Sequence, residues 1–372
     1  MKKHLAIILP LALLTLLTSA LAAEEEDEFF GRIYFHYFHD FTSTDADPGL
    51  YESLQGIALE NPGQDNGFAF TRFYFGYDRE LNENFGVRFL LDVDYDQQYS
   101  QNQAGNLGSS SRNLRPYVKN AYLTMKCRLI EGSRWYFGMV AMPFTTTPES
   151  HWGYRSLAPM GMDLAGWGST ADVGVAWKGL WSDMYELQFA AANGEGYRRP
   201  ETDMMKLFEL RPTVYLLEKD VTLSAFASYE PDAEGTDEDA LILSGMAGYD
   251  HEFFRVGAEY SLRTLSDAVV TDPATGAVDD LNQNVISAWA HVKPLDKLAI
   301  LGRYDMYDSD TDADNDGESL LIVGVDYHPT KMVRFIPNIQ MQMNERDDDP
   351  ATPDFDESVS RNIAFLTFEV QW

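Results

Sequence analysis

The sequence predicts an all-β chain: a transmembrane, antiparallel, up-and-down β-barrel of about sixteen strands. Three observations predict it. Apolar and polar residues alternate along most of the chain. The alternating segments are joined by connections that are long and short by turns. The last segment keeps its alternation up to a terminal aromatic residue, Trp372.

The first element is an export address. Lys2 and Lys3 precede a short apolar stretch, Leu5 to Leu17, and Ala20 and Ala22 fit the small-residue cleavage pattern. Residues 1–22 are therefore expected to be a signal peptide, and residues 23–372 a single barrel domain beyond the inner membrane. The mature chain then opens on the acidic run Glu24 to Glu28.

Sixteen alternating segments follow: 29–41, 67–79, 85–96, 115–127, 134–143, 171–179, 185–193, 207–217, 220–230, 240–250, 253–263, 284–293, 297–307, 319–328, 332–344 and 362–372. In the third, Phe85, Val87, Phe89, Leu91, Val93 and Tyr95 share one face, while Arg88, Asp92 and Asp94 lie on the other. A strand turns successive side chains to opposite faces, so each segment offers one apolar and one mainly polar wall. Phe254, Val256, Ala258, Tyr260 and Leu262 repeat the pattern, as do Val221, Leu223, Ala225, Ala227 and Tyr229. The segments fit the roughly 9–11 tilted residues that cross a bilayer. No apolar run of about 18 residues follows the leader, so helical spans are excluded.

The connections give a second signal. Short ones such as Leu81-Asn82-Glu83-Asn84, Glu218-Lys219 and Pro294-Leu295-Asp296 alternate with long ones such as 42–66, 144–170 and 345–361. Tight turns on one side and long loops on the other are the asymmetry of an outer-membrane barrel. Aromatics near strand ends, among them Phe29, Tyr185, Tyr229, Tyr304 and Tyr327, are expected to form interfacial belts.

Composition narrows the function. Asp plus Glu number 59 against 28 Lys plus Arg, a formal net charge of −31, which excludes a nucleic-acid partner. With one cysteine, Cys127, no intrachain disulfide can form. No catalytic motif is present. His36 and His39 point to opposite faces of a strand, and Ser287 with His291 lies on the lumen side, so no enzyme activity is expected.

Gly138-Met139-Val140-Ala141-Met142-Pro143-Phe144, with Glu149 and then Trp152-Gly153-Tyr154-Arg155, resembles a motif region of the phosphate-selective porin O/P family. The hairpin Phe73–Asp94 is also similar to that family. The resemblance implies a sixteen-stranded, usually trimeric, outer-membrane channel whose third loop folds into the lumen near 144–170. It implies outer-membrane lipid and lipopolysaccharide as surroundings. The last strand resembles the signature that the barrel assembly machinery reads.

Within a wet lumen, Arg32, Arg72 and Arg88 come from three consecutive strands and are expected either to line one wall of a constriction or to pair with carboxylates on adjacent strands. Glu149, Arg155 and Asp163 of the third long loop would face them. The family's channels are rich in Arg and Lys, whereas here loops 231–239, 308–318 and 345–361 hold eighteen acidic residues. A mild cation preference is expected from them, with solvation of the loops as the plainer reading. An anion channel and a non-conducting adhesin or structural barrel are the alternatives. Asp312, Asp314 and Asp316, followed by Gly317, fit the opening of a calcium loop, but position twelve is Val323 rather than Glu, so a solvated acidic loop competes with a calcium site.

Overall fold

The computed structural model describes residues 27–42, 66–95, 114–201, 203–233, 238–272, 277–313, 316–345 and 358–372. The expected signal peptide, Asp314 and most of loop 345–361 lie outside them. The strands are β1 (Asp27–Asp40), β2 (Asn66–Glu80), β3 (Phe85–Tyr95), β4 (Leu114–Lys126), β5 (Ser133–Ala141), β6 (Ala171–Trp181), β7 (Tyr185–Ala192) and β8 (Leu207–Leu216). The chain continues through β9 (Val221–Glu230), β10 (Ala240–Asp250), β11 (Phe254–Asp272), β12 (Ala277–Leu295), β13 (Leu298–Asp308), β14 (Gly317–Thr330), β15 (Val333–Glu345) and β16 (Ser358–Gln371). Each strand pairs with its sequence neighbours, and β1 pairs antiparallel with β16, so the sheet closes into a sixteen-stranded antiparallel barrel.

Burial follows the period of two, with the sense of a soluble protein reversed. On β13, Ala299, Leu301, Arg303 and Asp305 are buried, while Ile300, Tyr304 and Met306 are exposed. Arg211, Arg303 and Arg361 are among the largest fully buried side chains, and Phe89, Val256, Tyr260 and Val323 are exposed. An apolar outer face and a charged inner face suit a wall with hydrocarbon outside and a polar interior. No helix among the described residues is long and apolar enough to cross a membrane.

The terminal aromatic closes the seam. Trp372 exchanges two backbone hydrogen bonds with Gly31, at 3.0 and 3.1 Å, and its ring stacks on Phe73 at 6.1 Å. The ring lies where a Cβ on residue 31 would sit, so β1 needs glycine there.

All sixteen expected strands form. The largest difference is at β11 and β12, where residues 264–272 and 277–283, read as loop, extend the hairpin. Register shifts between Leu265 and Val269 interrupt the pairing, and Asp267 has φ of 54°. That local irregularity breaks the alternation without ending the strand.

A second irregularity shapes the interior. Leu90 pairs with Asn120 but Leu91 pairs with Val118, which leaves Lys119 as the extra residue of a bulge in β4. On β2, the register with β1 shifts in the same way and leaves Thr71 over. Bulges redirect side chains. Thr71 hydroxyl meets His36 Nε2 at 2.8 Å inside the barrel. Beside the β4 bulge, Gly138 has φ of 127°, and a Cβ there would overlap the Ala121 carbonyl oxygen. Pairing of β4 with β5 stops at Ala121 and Met139, just below the start of the third long loop.

Candidate functional site

The third long loop carries two short helices, α1 (Thr146–Trp152) and α2 (Gly161–Leu164). Inward side chains of the wall hold its backbone carbonyls. Arg211 Nε donates to Pro143 O at 2.7 Å, and the same guanidinium also donates to Phe144 O. Arg255 donates to His151 O at 3.1 Å, Arg334 to Gly153 O at 3.1 Å, Gln340 to Leu157 O at 3.1 Å and Arg303 to Ala158 O at 3.3 Å. Ser156 adds a hydrogen bond to Glu369 at 2.8 Å, and Tyr154 one to Asp326 at 3.1 Å. Between these polar contacts, Trp152, Leu157 and Met160 pack with Leu301, Ile322, Ile336 and Ile363 in one buried apolar cluster. The loop is thus bound to the inner faces of β8, β11, β13, β15 and β16 by both kinds of force.

On the other side of the loop, along β1, β2 and β4, is a cavity of about 540 Å³. Arg32, Tyr34, Tyr74 and Lys119 line it from the wall, and Glu149 and Arg155 from the loop. Within the loop, Arg155 binds Glu149 at 2.8 Å and also pairs with Asp163. Burial would raise the Asp163 carboxyl, but the Arg155 guanidinium outweighs it and holds its pKa below the usual carboxylate range. On the wall, Arg32 lies 3.7 Å from Glu369, and Arg72 lies 3.4 Å from Asp92 while donating to the Tyr74 hydroxyl at 3.0 Å.

Lys119 differs from these bases. It donates to the Tyr74 hydroxyl at 3.4 Å and sits over the rings of Tyr74 and Tyr197, at 5.0 and 5.6 Å. Among the described residues no carboxylate reaches it within salt-bridge distance. Arg198 continues the stacking over Tyr117 and Tyr197, at 4.9 and 5.2 Å. Cations over ring faces are held by the ring quadrupole.

The three strand arginines are therefore divided. Arg32 borders the cavity, and Arg72 donates to the Tyr74 hydroxyl that lines it. Arg88 pairs with Asp78 at 2.6 Å in a separate cavity near the short turns, with Glu80, Tyr122 and Arg134. Each of the three arginines has a carboxylate neighbour, Glu369, Asp92 and Asp78 in turn. Lys119, Tyr74 and Tyr197 were not singled out from sequence. The bulge puts Lys119 out of phase with Asn120 and Tyr122, and Tyr197 lies in a loop.

The remaining candidates separate. Asp316 accepts from Ser309 at 2.6 Å, the Asp312 backbone N–H donates to Asp310, and Asp314 lies outside the described residues. Carboxylates that converge within 4.8 Å are instead Glu195, Glu201 and Asp203, and Lys206 occupies Glu201 at 2.9 Å. Ser287 donates to Asp305 at 2.6 Å, while His291 packs on Trp152 and Tyr154, so the two do not act together. His36 is buried, and His39 is exposed. His151, at the end of α1, accepts from the Trp289 indole N–H at 3.0 Å. Burial, reinforced by Arg255, lowers its pKa to about 4.

No family model matches the chain, and no curated protein matches it. Solved structures do. The anion-selective porin from Comamonas acidovorans aligns over 94% of this chain and 100% of its own at a TM-score of 0.63 and 12% identity. The outer membrane channel DcaP of Acinetobacter baumannii aligns over 94% of this chain and 98% of its own, at 0.61 and 15%. Salmonella typhi OmpF, in a complex with daunomycin, aligns over 94% and 98%, at 0.60 and 12%. At these identities the likeness is one of fold.

Proposed function

We propose that this chain is an outer-membrane porin, a passive diffusion channel for small hydrophilic solutes. The observation that carries the reading is the closed sixteen-stranded wall, apolar outside and charged inside, with a lined cavity left between its inserted loop and β1, β2 and β4. The porin folds it resembles support the same reading. Lipid and lipopolysaccharide would surround the barrel, the barrel assembly machinery would read β16, and three copies would assemble as a homotrimer. Planar-bilayer recording of the purified protein tests it. Discrete ohmic steps are expected, and an absence of conductance would favour an adhesin or structural barrel.

Two surfaces bear on selectivity. The acidic loops 231–239, 308–318 and 345–361 support a mild cation preference at the outer mouth. A second reading, an anion-preferring channel akin to the phosphate-selective porins, is favoured by Lys119, whose charge no carboxylate neutralises among the described residues. The two act over different ranges. Exposed loop charges are screened within roughly 3 Å at 1 M salt, whereas an ion in the passage travels beside Lys119. Reversal potentials in dilute and concentrated potassium chloride gradients separate them. The loops are expected to favour cations in dilute salt and the passage to favour anions in concentrated salt.

A further inference from the structure

The strands around the third long loop do not rise to the same height. β5 ends at Ala141, β6 begins at Ala171 and β7 ends at Ala192, all close to one level, since Ala141 pairs with Ala171 and Gly174 with Ala192. β4 extends further toward the long loops. Its pairing with β5 stops at Ala121, and Leu114–Asn120 continue with β3 as their ladder partner.

The connection from β7 to β8 occupies the space beside that overhang. It is anchored at the head of β6, where Asp172, a buried carboxylate, accepts from the Gly194 and Val173 N–H groups, each at 2.6 Å. Gly194 and Gly196 have φ of 132° and 76°, and a Cβ on them would overlap the Glu230 carboxylate and the Ser169 hydroxyl. Glycine supplies the conformation that carries the chain inward there. The Tyr197 hydroxyl then donates to Asp92 Oδ2 at 2.8 Å, and Asp92 is buried on β3, beyond β4, β5 and β6. Arg198 lies 3.9 Å from the same carboxylate and stacks at 4.9 Å on Tyr117, the cross-strand partner of Asp92. A hydrogen bond to a buried carboxylate and a stacked guanidinium fix the loop tip against the inner face of β3 and β4.

One inward position further along β4 is Lys119, between the rings of Tyr74 on the wall and Tyr197 on the loop, at 5.0 and 5.6 Å. Tyr74 and Lys119 line the passage, with Glu149 and Arg155 of the third loop opposite. The loop tip therefore stands at the end of the passage that faces the long loops.

We propose that this tip is the outer jaw of the passage, with Tyr197 and Arg198 as specificity-determining residues. The proposal rests on the channel reading. Pore diameter and the groups that line it decide what a channel passes. Tyr197 narrows the opening above Lys119, and Arg198 places a further guanidinium beside the entering solute. The third loop bounds the passage from one side and the β7–β8 connection from above.

The test is polymer exclusion with the intact barrel in planar bilayers. Polyethylene glycols of graded size are added, and the largest that still lowers single-channel conductance measures the opening. Tyr197→Ala should raise the conductance and admit a larger polymer than the parent does. Tyr197→Phe, which keeps the ring, should retain the parent cut-off. Tyr197→Trp, which enlarges the ring and keeps a donor for Asp92, should lower the cut-off, and it decides the matter if Tyr197→Ala fails to fold. Arg198→Gln takes one base from Asp92 and should shift the reversal potential in a potassium chloride gradient toward cations. A loop that only seals the low side of the wall would give the same cut-off in all three Tyr197 variants, and that result overturns the proposal, as does an unchanged reversal potential in Arg198→Gln. A parent that does not conduct refutes the channel reading and this inference with it, whereas a conducting parent with unchanged variants refutes this inference alone.

Discussion

Replacing Lys119 with Gln removes a base of the cavity wall that has no carboxylate within salt-bridge distance among the described residues. The size of the effect follows from Coulomb's law. An ion passing about 4 Å from the ammonium gains about 1 kcal/mol if the water around it behaves as bulk, and about 4 kcal/mol at an effective dielectric of about 20. The cavity is wet and about 540 Å³ in volume, so the lower figure applies. It corresponds to about a fivefold loss for anions and a similar gain for cations, so the anion-to-cation permeability ratio should fall roughly 25-fold. Glutamine retains a donor for the Tyr74 hydroxyl, so the wall should keep its shape. The assay is the reversal potential across a planar bilayer in a tenfold potassium chloride gradient, repeated at high ionic strength, where loop charges are screened. Lys119→Glu should move the potential further in the same direction. If both variants keep the parent reversal potential at both salt levels, ions do not pass Lys119, and the assignment of the passage to β1, β2 and β4 is refuted.

The other predictions concern the same wall and the loop opposite. Arg32→Ala and Arg72→Ala should each shift preference toward cations, because Glu369 and Asp92 each lose one of two neighbouring bases, whereas Arg88→Ala, in its separate cavity, should shift it less; equal shifts for all three would contradict that division. Arg211→Met strips donors from two buried loop carbonyls, at about 1–3 kcal/mol for each group left unsatisfied, and should lower the barrel's unfolding temperature and increase open-channel noise; an unchanged melting curve would mean that the loop holds itself. The attachment of α1 should depend on pH. His151 titrates at about 4 when folded and near 6.5 when free, so the free state binds more protons between those values. Attachment is then full above about pH 6.5 and weakens as pH falls toward 4; Arg255 adds to this effect, Asp250 opposes it, and a Trp152 fluorescence titration that is identical in His151→Gln would contradict it. Gly138→Ala should destabilise the barrel by about 1–3 kcal/mol, through a positive φ and a clash with the Ala121 carbonyl, as read from the unfolding temperature; a neutral effect would mean that the β4–β5 seam relaxes freely.

The barrel was legible because its physics is periodic. A wall between lipid and water must alternate, and it does so from Phe29 to Trp372, so strand existence and order could be read directly. What was not legible lies where the period fails. Asp267, with positive φ, hid the upper half of the β11–β12 hairpin. The β4 bulge turns both Lys119 and Asn120 inward, Lys119 in phase with Arg115 and Tyr117 and Asn120 in phase with Tyr122, so a single count along the strand cannot assign both to the lumen. The segment from Thr146 to Leu164 contains helices of seven and four residues, too short for a helical period to emerge. Asn120 and Tyr122 continue the regular inner phase of β4, so a break in phase between Tyr117 and Asn120 was the available signal.

The loop's attachment also explains how one acidic chain can present two surfaces of different sign inside the same barrel. Holding backbone carbonyls requires donors, and an arginine fork supplies several at once. Arg211, Arg255, Arg303 and Arg334 are committed to this task, three of them also paired with Asp250, Asp305 and Asp326. Their charge is directed into the loop and its carboxylates. Facing α2, that leaves Glu318 without a base among the described residues, while Asp305 stays paired with Arg303. Along β1, β2 and β4 the loop makes no such demand, and Lys119 rests on tyrosine rings with no carboxylate within salt-bridge distance among the described residues. The sign of each space therefore follows from which wall the loop leans on. Net composition does not determine it, since the chain as a whole carries −31.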